Sequence, residues 1–202
     1  MTTRFNTSMF HEITPALVEA LIADPFYRSI TDDFADDEAA RKKALESYFH
    51  YSLAEASRTG RCIVAPNPKL GAAAWLLPRT DEVEAQESAA KAEFLRDCLP
   101  TRGYENYRST VSFMAPLAKE VVAPGSWYLS IVGVSPAAQG RGIGRQLLQP
   151  TLHEADERGV SCYLETFTPR NIRFYERLGF EQVASHLEPT TASEYAILSR
   201  PA

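Results

Sequence analysis

Cysteine is scarce: Cys62, Cys98 and Cys162 are the only three, they lie far apart, and no Cys-x-x-Cys pair is present. That spacing argues against a disulfide framework or a thiolate zinc site and fits reduced thiols in a cytoplasmic setting. His11, His50, His153 and His186 are scattered, so no metal is expected. Basic charge is in deficit, with a net charge of −5. The chain therefore lacks the basic surface that nonspecific nucleic-acid or anionic-membrane binding needs. No apolar run approaches the roughly 18 residues that span a bilayer. The opening Met1–Asn6 has one positive charge and no apolar stretch, so no signal peptide is expected. Internal repeats and low-complexity tracts are also missing. What is present, 45% hydrophobic and 23% charged residues, is the make-up of an ordinary globular protein. A length of 202 residues suits one domain, or one domain with a sizeable insertion.

The half before Pro124-Gly125 reads as helices with a little sheet. Thr14-Pro15 predicts the start of a short helix ending near Ala23. A longer helix is expected over Asp37–Arg58, stopping at Gly60. Arg61–Pro66 and Gly71–Leu77 read as an antiparallel pair turned by Pro66, Asn67 and Pro68. Asp81–Leu99 and Tyr104–Val122 read as two further helices. Beyond Gly125 the pattern is more regular. Trp127–Val134 is almost wholly apolar, the mark of a strand covered on both faces. Gly142–Arg158 is a helix with Ile143, Leu147, Leu148, Leu152 and Ala155 on one side, and Pro150 should kink it. Val160–Thr166 is another buried strand, Pro169–Leu178 a short helix, and Phe180–Leu187 and Glu194–Arg200 two final strands. Strand, helix and strand within about 40 residues make a βαβ unit with parallel strands.

The stretch from Val134 to Arg145 joins a buried strand to a helix, where backbone N–H groups lie unpaired and the helix dipole favours an anion. Gly140, Gly142 and Gly144 at alternate positions let the main chain approach a phosphate, and Arg141 and Arg145 add positive charge. A Walker loop is excluded because no Gly-Lys-Ser/Thr follows. The Gly-x-Gly-x-Gly spacing also departs from the Gly-x-Gly-x-x-Gly of a dinucleotide loop. A glycine-rich turn before a surface helix is the plainer alternative. Gly133, inside an apolar strand, marks either a bulge or a close approach by a large neighbour such as Trp127 or Phe180.

Gln139, Gly142 and Gly144 closely resemble the Gln/Arg-x-x-Gly-x-Gly/Ala loop of GNAT acetyltransferases. Asn171-Ile-Arg-Phe-Tyr175-Glu-Arg-Leu-Gly179-Phe180 resembles the family's second motif, with its spacing shortened. Thr168 and Pro169 suit the start of that helix and Gly179 its end, and Asn171 and Tyr175 share one face. These motifs cover about 75 residues and are similar to the branch that contains puromycin N-acetyltransferase. The resemblance implies a mixed α/β (α+β) sheet of six or seven strands, with a splayed parallel pair around Ile131 and Leu164 and flanking helices. It implies one domain over 1–202, with 1–125 an acceptor-side half carrying a helical insertion and 126–202 the acetyl-CoA-binding half. By the same resemblance Gln139, Gly140, Arg141, Gly142, Ile143, Gly144 and Arg145 grip the pyrophosphate of acetyl-CoA. Val132, Gly133 and Val134 would offer main-chain groups to its pantetheine arm, and Asn171 would contact it as well.

The implied activity is transfer of acetyl from acetyl-CoA to a primary amine of a small molecule, by a monomer or homodimer. A protein or peptide acceptor, or a non-catalytic acyl-CoA-binding module, are the alternatives. Acyl transfer to an amine needs a base, a donor to the carbonyl oxygen and an acid for the leaving thiolate. Tyr175 is the candidate acid, although its position before Gly179-Phe180 also suits plain packing. Glu165 is the candidate base, or else a partner of Arg170 or Arg173. The Val134 N–H is the candidate carbonyl donor. Asp32, Asp33, Asp36, Asp37 and Glu38 read as solvated helix-start charge or as an attractor of a cationic amine. Phe26, Tyr27, Tyr48, Phe49, His50 and Tyr51 read as core or as an aromatic pocket. His153 is expected to be exposed.

Overall fold

Helix α1 spans Thr7–Leu21 and keeps Pro15 within it. The proline does not open the helix, because the buried face of Phe10, Ile13, Ala16 and Leu17 runs straight past it while Pro15 itself stands exposed. Packing of that stripe outweighs the backbone bond the ring removes. The computed structural model describes residues 7–202, so the signal-peptide expectation for Met1–Asn6 lies outside the described residues. Asp24 caps the short helix α2, Pro25–Ser29, by accepting the Phe26 N–H at 3.0 Å, with Pro25 at the first position. Helix α3, Glu38–Thr59, is capped by Asp37 and stops at Gly60.

Strands β1 (Gly60–Val64) and β2 (Gly71–Leu76) form the expected antiparallel pair. Helices α4 (Asp81–Cys98) and α5 (Thr101–Val121) then lead to β3, Trp127–Val134. Helix α6, Ile143–Arg158, runs unbroken through Pro150 and ends on left-handed Gly159. Strand β4 (Cys162–Thr166), helix α7 (Ile172–Glu176) and strands β5 (Glu181–Glu188) and β6 (Ser193–Arg200) complete the chain. The six strands make one sheet ordered β1-β2-β3-β4-β6-β5. Among the described residues only β3 and β4 pair in parallel.

Alternation along the strands divides the core between the two faces of the sheet. Ala72 and Ala74 face α1 and α3, where Leu17, Leu45, Phe49 and Leu53 are fully buried. Ala73 and Trp75 face α6, where Leu147, Leu148, Leu152 and Ala155 pack. Strand β3 breaks the alternation. Leu129 belongs to the α6 side and Ile131 to the α1 side, although they are two apart. The register explains this: Ala74 opposes Ile131 while Trp75 opposes Leu129, so Ser130 is an extra residue. A bulge of this kind turns every later side chain to the other face.

The bulge therefore sits at Ser130 and not at Gly133. Gly133 serves the other expected purpose, close approach, but its neighbour is neither Trp127 nor Phe180. A Cβ there would lie 2.6 Å from Leu17 Cδ2, so the glycine lets α1 rest on the strand. Beyond the bulge β3 parts from β4. The parallel ladder pairs Trp127 with Cys162, Tyr128 with Tyr163 and Leu129 with Leu164, and goes no further. No helix among the described residues is long and apolar enough to cross a membrane.

Candidate active site

The parting strands open onto a cavity of about 530 Å³, within the range of small-molecule sites. Its floor is β3 from Tyr128 to Val132 and β4 from Tyr163 to Phe167, and its walls come from α2, α3, α4 and α5. Asn171 and Tyr175 line it together, as their spacing of four predicts. Glu165 lines it too.

Glu165 has no arginine partner. Its Oε2 accepts the Tyr128 hydroxyl at 3.1 Å, and its Oε1 is buried with no hydrogen bond. Register accounts for the pair. Tyr128 and Tyr163 oppose each other across the parallel ladder, so their rings stack with centroids 4.7 Å apart. Glu165, two residues beyond Tyr163, projects from the same face. Burial pushes the Glu165 carboxyl up to about 7, against the lowering effect of the Tyr128 hydrogen bond. A group that titrates there exchanges protons readily at neutral pH.

Tyr175 is buried against Phe174 and Phe180, with ring centroids at 5.1 and 6.1 Å. Burial, and then the nearby Asp24, hold its phenol well above the usual tyrosine range, so it stays protonated. Thr168 does not cap the following helix with its side chain. Its hydroxyl instead donates to Asp24 Oδ2 at 3.1 Å, tying the start of α2 to the turn after β4.

The glycine loop is exposed from Pro136 to Gly142 except at Ala138. Gly140 and Gly142 are left-handed, with φ of 76° and 79°, a conformation that favours glycine. Gly144 has a different reason: a Cβ there would sit 3.1 Å from Phe174 Cζ, beside Tyr175. The first bond of α6 runs from the Gln146 N–H to the Gly142 carbonyl, so the amides of Ile143, Gly144 and Arg145 have no helical acceptor. Arg141 and Arg145 are exposed, with no carboxylate within 4.0 Å among the described residues. This is a concave cationic turn suited to a pyrophosphate. Gln139 plays a local part here, its Nε2 donating to the Val134 carbonyl at 3.1 Å. Val132 lines the cavity, while Gly133 and Val134 do not.

The acidic run stays outside the cavity. Asp37 caps α3, Glu38 pairs with Lys42, and Asp32 lies 3.5 Å from Arg102. Of the six aromatic candidates, Phe26, Tyr27 and Tyr48 line the cavity. Phe49 is core, Tyr51 stacks on Phe94 and His50 packs against Phe10 and His11. His153 is exposed and faces Glu157. Sequence reasoning missed Asp24, Glu55, Arg79, Lys91, Tyr107, Tyr128 and Tyr163, all of which line the cavity. Only Tyr128 carried a signal, as a polar tip within an apolar strand.

Residues 101–180 match the model of the Acetyltransferase (GNAT) family. Over its whole length the chain superposes on solved acetyltransferase structures. With the polyamine N-acetyltransferase of Drosophila melanogaster the TM-score is 0.65 at 14% identity, covering 98% of this chain and 97% of the other. With histone acetyltransferase HPA2 and related acetyltransferase from Corynebacterium glutamicum it is 0.59 at 23%, covering 98% and 94%. The chain has the GNAT fold.

Similarity in sequence to curated relatives is local. An uncharacterized N-acetyltransferase of Schizosaccharomyces pombe is 44% identical over 55 residues, 27% of this chain and 22% of that protein. Mycothiol acetyltransferase of Mycobacteroides abscessus is 47% identical over 60 residues, 28% of this chain and 20% of the relative. The chain thus spans about a fifth of the length of these two relatives. Within the GNAT fold, the splayed β3–β4 pair and the Asn171 and Tyr175 side of the turn into α7 meet around one cavity.

Proposed function

We propose that the protein is a cytoplasmic, acetyl-CoA-dependent N-acetyltransferase acting on a primary amine of a small molecule. The observation that carries this reading is the convergence of Glu165 and Tyr175 on the cavity where β3 leaves β4. The residues fit the co-substrate. Left-handed Gly140 and Gly142, the unpaired amides at the start of α6, and Arg141 and Arg145 suit its pyrophosphate. The gap beyond Leu129 and Leu164 suits its pantetheine arm, with Val132 and Asn171 lining it and Gly133 and Val134 following along β3 outside the lining. Acetyl-CoA supplies an acyl thioester. In this reading 126–202 holds the co-substrate, and 1–125 with its helices shapes the acceptor side.

The roles follow from what each group can do. Tyr128 holds Glu165 Oε2, leaving Oε1 to take a proton from the attacking amine. Tyr175, kept protonated, gives its proton to the departing sulfur. A main-chain N–H of β3 steadies the carbonyl oxygen; Val132, which lines the cavity, takes this role in place of the expected Val134. A carbon–nitrogen bond forms as the carbon–sulfur bond breaks, and protons move from amine to Glu165 and from Tyr175 to thiolate. Walls from four helices, α4 and α5 among them, favour a small acceptor over a peptide, which needs an open groove. Calorimetric titration with coenzyme A, followed by thiol release over a panel of polyamines, amino acids and aminonucleoside-like amines, tests the reading. Tight binding with turnover of at least one amine is expected. Absence of coenzyme A binding by the folded chain overturns it.

A further inference from the structure

The cavity carries charge at a second place, away from Glu165. Glu55 on α3 is almost fully buried and is shared by two cations: Arg79 Nη1 at 3.3 Å and Lys91 Nζ at 3.0 Å. The side chains of Arg79 and Lys91 are only 8% and 13% exposed. A second carboxylate, Glu84, takes Arg79 Nε at 2.8 Å from the solvent side, where it is 55% exposed. The cluster thus pairs two cations with two carboxylates, and among the described residues Lys91 has Glu55 as its one carboxylate partner. Lys91 lines the cavity and stands 5.7 Å from the centroid of the Tyr48 ring. Its ammonium has three donors, and one is used, on Glu55. Burial disfavours its charge, but its pKa is raised all the same, and the Glu55 carboxylate at 3.0 Å is the charged partner that holds the proton.

Aromatic rings, three of them tyrosines, line the cavity between this end and the proposed reaction centre. From Tyr48 the ring centroids of Tyr27, Phe26 and Tyr107 are 5.7, 6.3 and 6.4 Å away, and Phe26 adjoins Asp24, which lies by Tyr175. The cavity therefore has carboxylates where the amine would react, aromatic walls in the middle and a buried ammonium with spare donors beyond them. We propose that the acceptor amine carries a carboxylate at its far end, and that Lys91 receives this carboxylate while the amine lies at Glu165. This rests on the acetyltransferase reading and narrows it to amino-carboxylates with an apolar spacer. A buried ammonium completed by a guest carboxylate gains charge-assisted hydrogen bonds, whereas a guest with a second ammonium meets like charge.

The test compares ω-amino acids, n-alkylamines and diamines, each at several chain lengths from γ-aminobutyrate to ε-aminocaproate and their counterparts. Thiol release is measured at fixed acetyl-CoA. At the best length kcat/KM should favour the amino acid over the alkylamine by at least about tenfold, the scale of a hydrogen bond to a charged group, and the diamine should be poorest. Lys91→Met should abolish the preference while coenzyme A affinity stays put, and Lys91→Arg should restore it. A purely structural staple between α3 and α4 would shift stability without changing the order of the tails. Preference for the diamine or alkylamine overturns the proposal, and so does a preference that survives Lys91→Met in a variant that binds coenzyme A. Turnover of other amines but none of these overturns it alone, whereas lack of coenzyme A binding removes the reading beneath it.

Discussion

Glu165 is a carboxyl whose surroundings work against its charge. Its ordinary value of 4.5 is raised to about 7 by burial, and Tyr128 restrains the rise. The folded state thus binds the proton more tightly than the unfolded chain, and the contribution to stability is complete below about pH 4.5 and lost as pH rises through about 7. Glu165→Gln should therefore stabilise the protein at about pH 8, on the order of 2 kcal/mol, and change little near pH 5, as denaturant midpoints at the two pH values would report. The same variant should lose the rise of kcat/KM through neutral pH; a retained rise removes Glu165 as the base. Tyr128→Phe deletes the bond that favours the carboxylate, so the acid limb should move to higher pH with coenzyme A affinity unchanged. An unmoved limb would show that the bond does not set the titration. Tyr175→Phe removes a proton donor and little contact area, so kcat should fall roughly a hundredfold at nearly constant coenzyme A affinity. Rapid-quench and steady-state rates check this, and an unchanged kcat rejects the acid role.

Elements were legible wherever local chemistry decides them. The stop of α3 at Gly60, the turn between β1 and β2, the apolar run of β3 and the extent of α6 all read from neighbouring residues. Features that depend on a partner did not. Pro15 looked like a start because its own turn is blind to the core beneath Phe10 and Ile13. The bulge at Ser130 exists only in the register with β2, so no pattern within β3 marks it. Gly133 was noticed, yet the reason for it, Leu17 on α1, is more than a hundred residues away in sequence. Gly133→Ala should cost about 1–2 kcal/mol by overpacking α1 against β3. Combined with Leu17→Ala, which clears the space, the cost of the added methyl should largely vanish, since groups in contact couple. Chemical denaturation of the two singles and the double gives the coupling energy, and strict additivity would contradict the contact.

For the whole molecule, the same division separates the two halves of the site. The proposed co-substrate side is built from short runs, 139–145 and 165–175, so its spacing could be read. The acceptor side draws single residues from α2, α3, α4, α5, β3 and β4, and a set so dispersed leaves no local trace. Assembly of this kind ties cofactor binding to folding: β3, β4, α6 and α7 must be mutually placed before the turn at Gly142 can meet a ligand that also reaches Tyr175. A ligand bound to the native state alone stabilises by mass action, about 2.7 kcal/mol at a hundred times its Kd. For a chain of this size that corresponds to a Tm rise of about 5–10 °C. Coenzyme A should produce that rise. Pantetheine, which can fill the gap between β3 and β4 but offers nothing to Gly140–Arg145, should produce far less at the same concentration. Equal shifts from the two would mean that the turn before α6 contributes no binding, and the pyrophosphate assignment would fall with it.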